Sequence, residues 1–149
     1  MTTTIRPLAA ADEPAWRDLW RAYLAFYETE VAGSVHDIAF ARLLSDDPHE
    51  FHGLIAEVDG KPVGLAHYLF HRHGWQVEPV CYLQDLFAAP AMRGRGVGRA
   101  LIEAVYRAAD AAGAPSVYWL TQDFNAPARQ LYDRVGRLTP FVKYTRPAG

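Results

Sequence analysis

The chain has a single cysteine, Cys81, so no disulfide can form within it and cross-links are excluded as a source of its stability. Cys81 lies inside an apolar run and reads as a buried small hydrophobe rather than a nucleophile. Lysine is almost missing. Lys61 and Lys143 are the only two among fifteen basic residues, and neither closes a glycine loop with Ser or Thr, which excludes a Walker A phosphate loop. Neither sign of charge prevails, and a net charge of -2 offers no general attraction to nucleic acid. No apolar run approaches the roughly 20 residues that span a bilayer. The opening "MTTTIRPLAA" lacks the charged and then apolar segments of a signal peptide, so the expectation is a cytoplasmic protein without membrane or nucleic-acid partners. His71 and His73 alternate, but no third ligand lies near them in sequence; they read as loop residues, and no metal is expected.

What is present suits one compact domain over residues 1–149, since half of the residues are hydrophobic and 13% are aromatic. A short strand at 4–8 precedes Asp12, Glu13 and Pro14, residues suited to a helix's first turn. Trp16, Leu19, Trp20, Tyr23, Phe26 and Tyr27 then recur at three and four, which predicts a helix with a broad aromatic face. A second helix is expected after Ser34 as N-cap, ending before "DDPHE" at 46–50. "FHGLIAEV" (51–58) and "KPVGLAHYLF" (61–70) flank Asp59-Gly60, a strong hairpin signal. "CYLQDLF" (81–87) is a strand, a helix follows the glycines of "MRGRGVG" (92–98), "SVYWLT" (116–121) is a strand, and another helix starts near Asn125. Strand, crossover helix and strand should pair in parallel over 80–121, beside the antiparallel hairpin; "PFVKYT" (140–145) is expected as a last strand.

The glycines between the strand at 81–87 and the next helix carry the chemistry. A Rossmann fingerprint wants a third glycine where Arg99 stands, and it normally follows a first strand rather than a fourth. What remains is Arg93-x-x-Gly96-x-Gly98, whose unobstructed backbone N–H groups at a helix N-terminus can take a pyrophosphate. Arg93, Arg95 and Arg99 add positive charge there. Further along, Asn125 suits an N-cap with Pro127 in the first turn, and Tyr132 shares a face with Ala128, Leu131 and Val135.

"RGRGVG" resembles the acyl-CoA pyrophosphate signature of the GNAT N-acetyltransferase superfamily, Gln/Arg-x-x-Gly-x-Gly/Ala, in its expected place. With "YLQDLF", "NAPARQLY" and the early "IRPLAAAD" and "FYE", the chain is similar over nearly its whole length to the spermidine/spermine branch and the yeast histone, polyamine and D-amino-acid acetyltransferases. The resemblance implies a GNAT fold: an α/β domain with a mixed, twisted sheet of six or seven strands, a parallel unit at its centre and helices on both faces. It implies acetyl-CoA as co-substrate. The cofactor would pair with backbone of Leu86, Phe87 and Ala88, rest its pyrophosphate on Arg93, Gly94, Arg95, Gly96, Val97, Gly98 and Arg99, and pass Asn125 and Ala128.

It further implies Tyr132 as the acid that protonates the departing thiolate, and Tyr27, Glu28, Gln84 and Asp85 as contacts of the amine. Where the polyamine enzymes read Glu-Asp, this chain reads Gln84-Asp85, and an amide cannot accept a proton. Asp85 is left as base, directly or through water, or as a partner for the ammonium. Alternation would put the two residues on opposite faces, unless a bulge like the family's re-aims one. The implied reaction moves an acetyl group to the primary amine of a small cationic substrate of polyamine, diamine or amino-acid type. Acetylation of a peptide lysine or N-terminus, and a non-catalytic acyl-CoA-binding module, are the alternatives. A homodimer is expected too, because that branch often dimerises and the last strand offers an open edge.

Overall fold

The computed structural model describes residues 2–148; Met1 and Gly149, the ends of the expected domain, lie outside them. Strand β1 (Thr3–Pro7) leads through a single 3₁₀ turn to helix α1 (Glu13–Phe26) and helix α2 (Gly33–Leu43). Strands β2 (His52–Val58), β3 (Lys61–His71) and β4 (Val80–Ala88) follow, then α3 (Val97–Ala111), β5 (Val117–Tyr118) and α4 (Ala126–Val135). The sheet order is β1-β2-β3-β4-β5, antiparallel except for the parallel β4–β5 pair that the crossover predicts.

Alternation along the strands sorts side chains onto two faces. Leu54, Ala56 and Val58 of β2 turn to one side, where Leu101, Ile102, Val105 and Ala109 of α3 cover them. Ile55 and Leu65 turn to the other, beneath Trp16 of α1 and Phe40 and Leu43 of α2. The β2–β3 turn takes φ of +51° at Asp59 and +81° at Gly60, the left-handed pair that an Asp-Gly hairpin needs. Gly64 lets α3 sit close: a Cβ there would lie 2.8 Å from the Phe87 carbonyl and 3.2 Å from both Val97 and Leu101. This contact fixes the start of α3 against the end of β4.

Four expectations are corrected. The sheet has five strands among the described residues, not six or seven. Residues 140–145 form no strand; they run exposed, with Phe141, Val142 and Tyr144 uncovered, and pair with no strand among the described residues. Helix α2 starts at Gly33 with Ala32 as its N-cap, and Ser34 makes no cap bond. His71 is not in a loop: it ends β3, and its Nε2 lies 2.8 Å from the Tyr118 hydroxyl. Cys81 is fully buried as expected, and burial pushes its thiol up to about 12, which makes it inert.

Candidate active site

β5 touches β4 only at Cys81–Val117 and Tyr82–Tyr118, so beyond Tyr82 the β5-facing edge of β4 runs unpaired to Ala88. The gap opens into a cavity of about 690 Å³. Its walls include Leu86, Phe87 and Ala88 of β4, Tyr23 of α1 with Tyr27 just past its end, and Asn125 at the start of α4 with Ala128, Leu131 and Tyr132 of that helix. Gly94, Gly96, Val97, Gly98, Arg93 and Arg99 close one end, while Arg95 and Glu28 are not among the lining residues.

The glycines adopt the conformation that their chemistry requires. Gly94 and Gly96 hold φ of +77° and +83°, and a Cβ on either would meet nothing within 4 Å. The loop is thus open on its outer side, and a ligand's oxygens can reach its backbone. The first helical bond of α3 runs from Ala100 N–H to Gly96 C=O at 3.0 Å, which leaves the N–H groups of Val97, Gly98 and Arg99 as the free donors of a helix start. Gly98 serves another purpose: its added Cβ would sit 3.3 Å from Leu131, so it lets α4 pack against α3.

The three arginines divide their roles. Arg99 pairs with Glu103 at 2.8 Å, Arg93 lies over the rings of Phe26 and Phe87 at 5.4 and 5.9 Å, and Arg95 has no side-chain partner among the described residues. Asn125 is the N-cap of α4, its Oδ1 accepting from Ala128 N–H at 3.3 Å. The cap and Pro127 fix where α4 begins, and Tyr132 follows two turns later on the cavity face. Burial, with Tyr27 adding to it, pushes the Tyr132 phenol up to about 12, so it is a proton donor throughout the neutral range.

A second cavity of about 370 Å³ lies under α2, lined by Trp20, Ile38, Arg42, Phe51, His67, Gln84 and Asp85 among others. Gln84 and Asp85 are neighbours, yet both reach it. The register explains how: His67 is opposite Asp85 and Tyr68 is opposite Leu83, which leaves Gln84 as the extra residue of a bulge. Before the bulge Cys81 and Leu83 face α3; after it Leu86 and Ala88 do, and Asp85 and Phe87 face α1. Asp85 Oδ1 accepts from the Tyr23 hydroxyl at 2.8 Å, and Oδ2 lies 2.9 Å from His67 Nδ1. Tyr23 lines the first cavity and His67 the second, so the carboxylate stands between them. Burial and then the charge of Asp85 hold the Tyr23 phenol in its neutral form.

Sequence reasoning missed Tyr23, His67 and Trp16. The signal available was Trp16 itself, since an indole N–H on a buried helix face needs an acceptor. Glu28 ends up exposed in the turn after α1 at φ +55°, apart from Tyr27, which reaches the first cavity.

A splayed parallel pair, a glycine-lined helix start in the gap and a half-buried phenol opposite shape one cavity. Comparison with known proteins fixes the class. The chain belongs to the acetyltransferase (GNAT) family, whose model matches residues 13–136, and it is a GNAT-type N-acetyltransferase. It is 38% identical over 143 residues, 95% of this chain and 89% of the relative, to the yeast (Saccharomyces cerevisiae) D-amino-acid N-acetyltransferase HPA3. It is 31% identical over 94 residues to the thialysine N-epsilon-acetyltransferase of Bos taurus, covering 58% of this chain and 55% of that one. The fold also matches the aminoglycoside enzyme AAC(6')-Iy in complex with a CoA-linked bisubstrate analogue, with a TM-score of 0.84, 23% identity and both chains fully covered.

Proposed function

We propose that the chain acetylates the primary amine of a small amino-acid-type substrate, with acetyl-CoA in the larger cavity and the amine entering through the second. The observation that carries this reading is the position of Asp85, on the wall of one cavity and hydrogen-bonded to a residue of the other. Acetyl-CoA supplies an acetyl group activated as a thioester. The open glycine loop suits its pyrophosphate, and the unpaired edge of Leu86, Phe87 and Ala88 suits its amides.

Asp85 receives the ammonium and takes its proton, directly or through one water. A backbone N–H on the free edge of β4 faces the developing oxyanion, and the Tyr132 hydroxyl gives a proton at the sulfur side. Arg42 selects among amines. It lines the second cavity together with Asp85, whereas no other acid does, so an ammonium and a carboxylate on one substrate are both answered. A polyamine's second ammonium finds no carboxylate there. The protein acts in the cytoplasm, as one domain over 1–149 assembled into a homodimer; among the described residues no helix is long and apolar enough to cross a membrane.

The test is thiol release from acetyl-CoA with an amine panel: amino acids of both hands, thialysine-like basic amino acids, polyamines and a basic peptide. An amino acid should give the highest kcat/KM, and Arg42→Ala should raise its KM more than that of a simple amine. Preference for a polyamine or the peptide would overturn the substrate reading.

A further inference from the structure

Trp16 is fully buried on α1, and its Nε1–H donates to His67 Nε2 at 3.0 Å. An indole nitrogen is a donor only, so His67 Nε2 must be the accepting nitrogen, and the ring's proton sits on Nδ1. From there it donates to Asp85 Oδ2 at 2.9 Å, while the Tyr23 hydroxyl donates to Oδ1 at 2.8 Å. We infer that His67 is a positioning residue for the acetyl-transfer site: fixed in its Nδ1–H tautomer by Trp16, it locks the Asp85 carboxylate in the orientation that receives the substrate amine. The inference rests on the reading that Asp85 meets the amine.

Three features make the lock rigid. His67 is 4% exposed, and its ring packs against the stacked pair of Trp16 and Trp20, at 6.0 and 5.0 Å between centroids. The bulge at Gln84 sets Asp85 directly opposite His67 on the neighbouring strand. Two donors on two different oxygens leave one remaining lone pair on each, so the carboxylate keeps two acceptor positions for an ammonium. The same chain excludes His67 as the base. Its Nε2 lone pair is already used by Trp16, and its Nδ1 already carries a proton, so a proton taken from the amine stays with Asp85 or passes to water. His67 thus sets where the base is and does no proton transfer itself.

The test has a spectroscopic and a kinetic arm. In the parent protein labelled with ¹⁵N-histidine, His67 should show a protonated Nδ1 and an unprotonated Nε2 at neutral pH. An Nε2–H tautomer or an imidazolium there would overturn the inference, whatever the activity. In kinetics, His67→Leu should lower kcat/KM for the amine by about 10²-fold, the scale of a reacting group misplaced by about an ångström, with KM for acetyl-CoA unchanged. His67→Asn places an amide N–H where Nδ1–H stood and should recover the rate to within about tenfold of the parent. A folded His67→Leu enzyme with parental amine kinetics, or His67→Asn no better than His67→Leu, would overturn it. Asp85→Asn separates the two levels: parental amine kinetics in that variant would remove the reading of the site, while the tautomer measurement still decides the hydrogen-bond chain.

Discussion

Replacing Tyr132 by Phe removes one oxygen from the wall of the larger cavity and little else. The Tyr132 hydroxyl has no hydrogen-bond partner among the described residues, and the ring keeps its edge-to-face contact with Trp119 at 5.5 Å. The fold should therefore lose no more than about 0.5 kcal/mol, the range of a substitution that breaks no named contact. The loss falls on catalysis. Removing a general acid costs about 10² to 10⁴ in rate, and a thiolate is a tolerable leaving group, so kcat should fall by about 10².

The raised phenol gives this prediction a second edge. A group held at about 12 is only about 0.1% ionised at pH 9, against about 10% for an ordinary phenol near 10. Loss of the acid therefore cannot bend the rate downward between pH 6 and 9, and parent and variant should differ by a constant factor across that window. Single-turnover thiol release at saturating amine measures it. If Tyr132→Phe turns over at the parental rate, water supplies the proton and the phenol only fills space. A gap that closes as pH rises toward 9 would show that the phenol ionises far below the value its burial sets.

Gly96→Val should still fold, since a left-handed L residue costs about 1–2 kcal/mol against a total stability of about 5–15. Its affinity for acetyl-CoA should fall at least tenfold by calorimetry, and an unchanged affinity would remove the glycine loop from the cofactor site. Asp12 is 7% exposed and accepts two bonds from Arg6, at 2.8 and 2.7 Å, and one from Ala9 N–H at 2.8 Å, so Asp12→Asn should cost about 1.5–3 kcal/mol in urea unfolding at pH 7. Arg6 holds that carboxyl below its usual range, so its contribution is complete above the unfolded value of about 4 and is lost as pH falls through the lower folded value; a parent-variant gap that stays constant to pH 2 would contradict this. The exposed arm at 137–148 should seat on a second copy, giving twice the 16.7 kDa chain mass by light scattering, and a monomer at working concentration would refute the homodimer.

Most local signals are legible in the sequence because each is completed within a few residues; Ser34, which Ala32 replaces as N-cap, is an exception. Asp59-Gly60 makes its own turn, the glycines of 94–98 set their own φ, and Asn125 caps a helix that starts at the next residue. The chemistry around Asp85 was only half legible. His67 lies 18 residues from Asp85 and Trp16 lies 51 from His67, and no periodicity links positions that meet only when β3 and β4 find their register. The expected strand at 140–145 shows the same limit from the other side: "PFVKYT" has strand-like composition, but a strand needs a neighbour and β5 is only two residues long.

Gln84 does its work by being counted rather than by what its side chain contains. Were the strand to alternate strictly through position 84, with no bulge, Asp85 and Phe87 would fall with Leu83 in the packed layer beneath α3, and Leu86 and Ala88 would take the acid's place. The side that the acid faces is therefore set by the bulge between Leu83 and Asp85. A change of residue type at position 84 leaves the bulge in place, so an amide can stand there without disturbing Asp85. Deleting Gln84 would instead leave Asp85 opposite His67 with the bulge closed, so the acid keeps its side and only the local bend and added twist of β4 are lost.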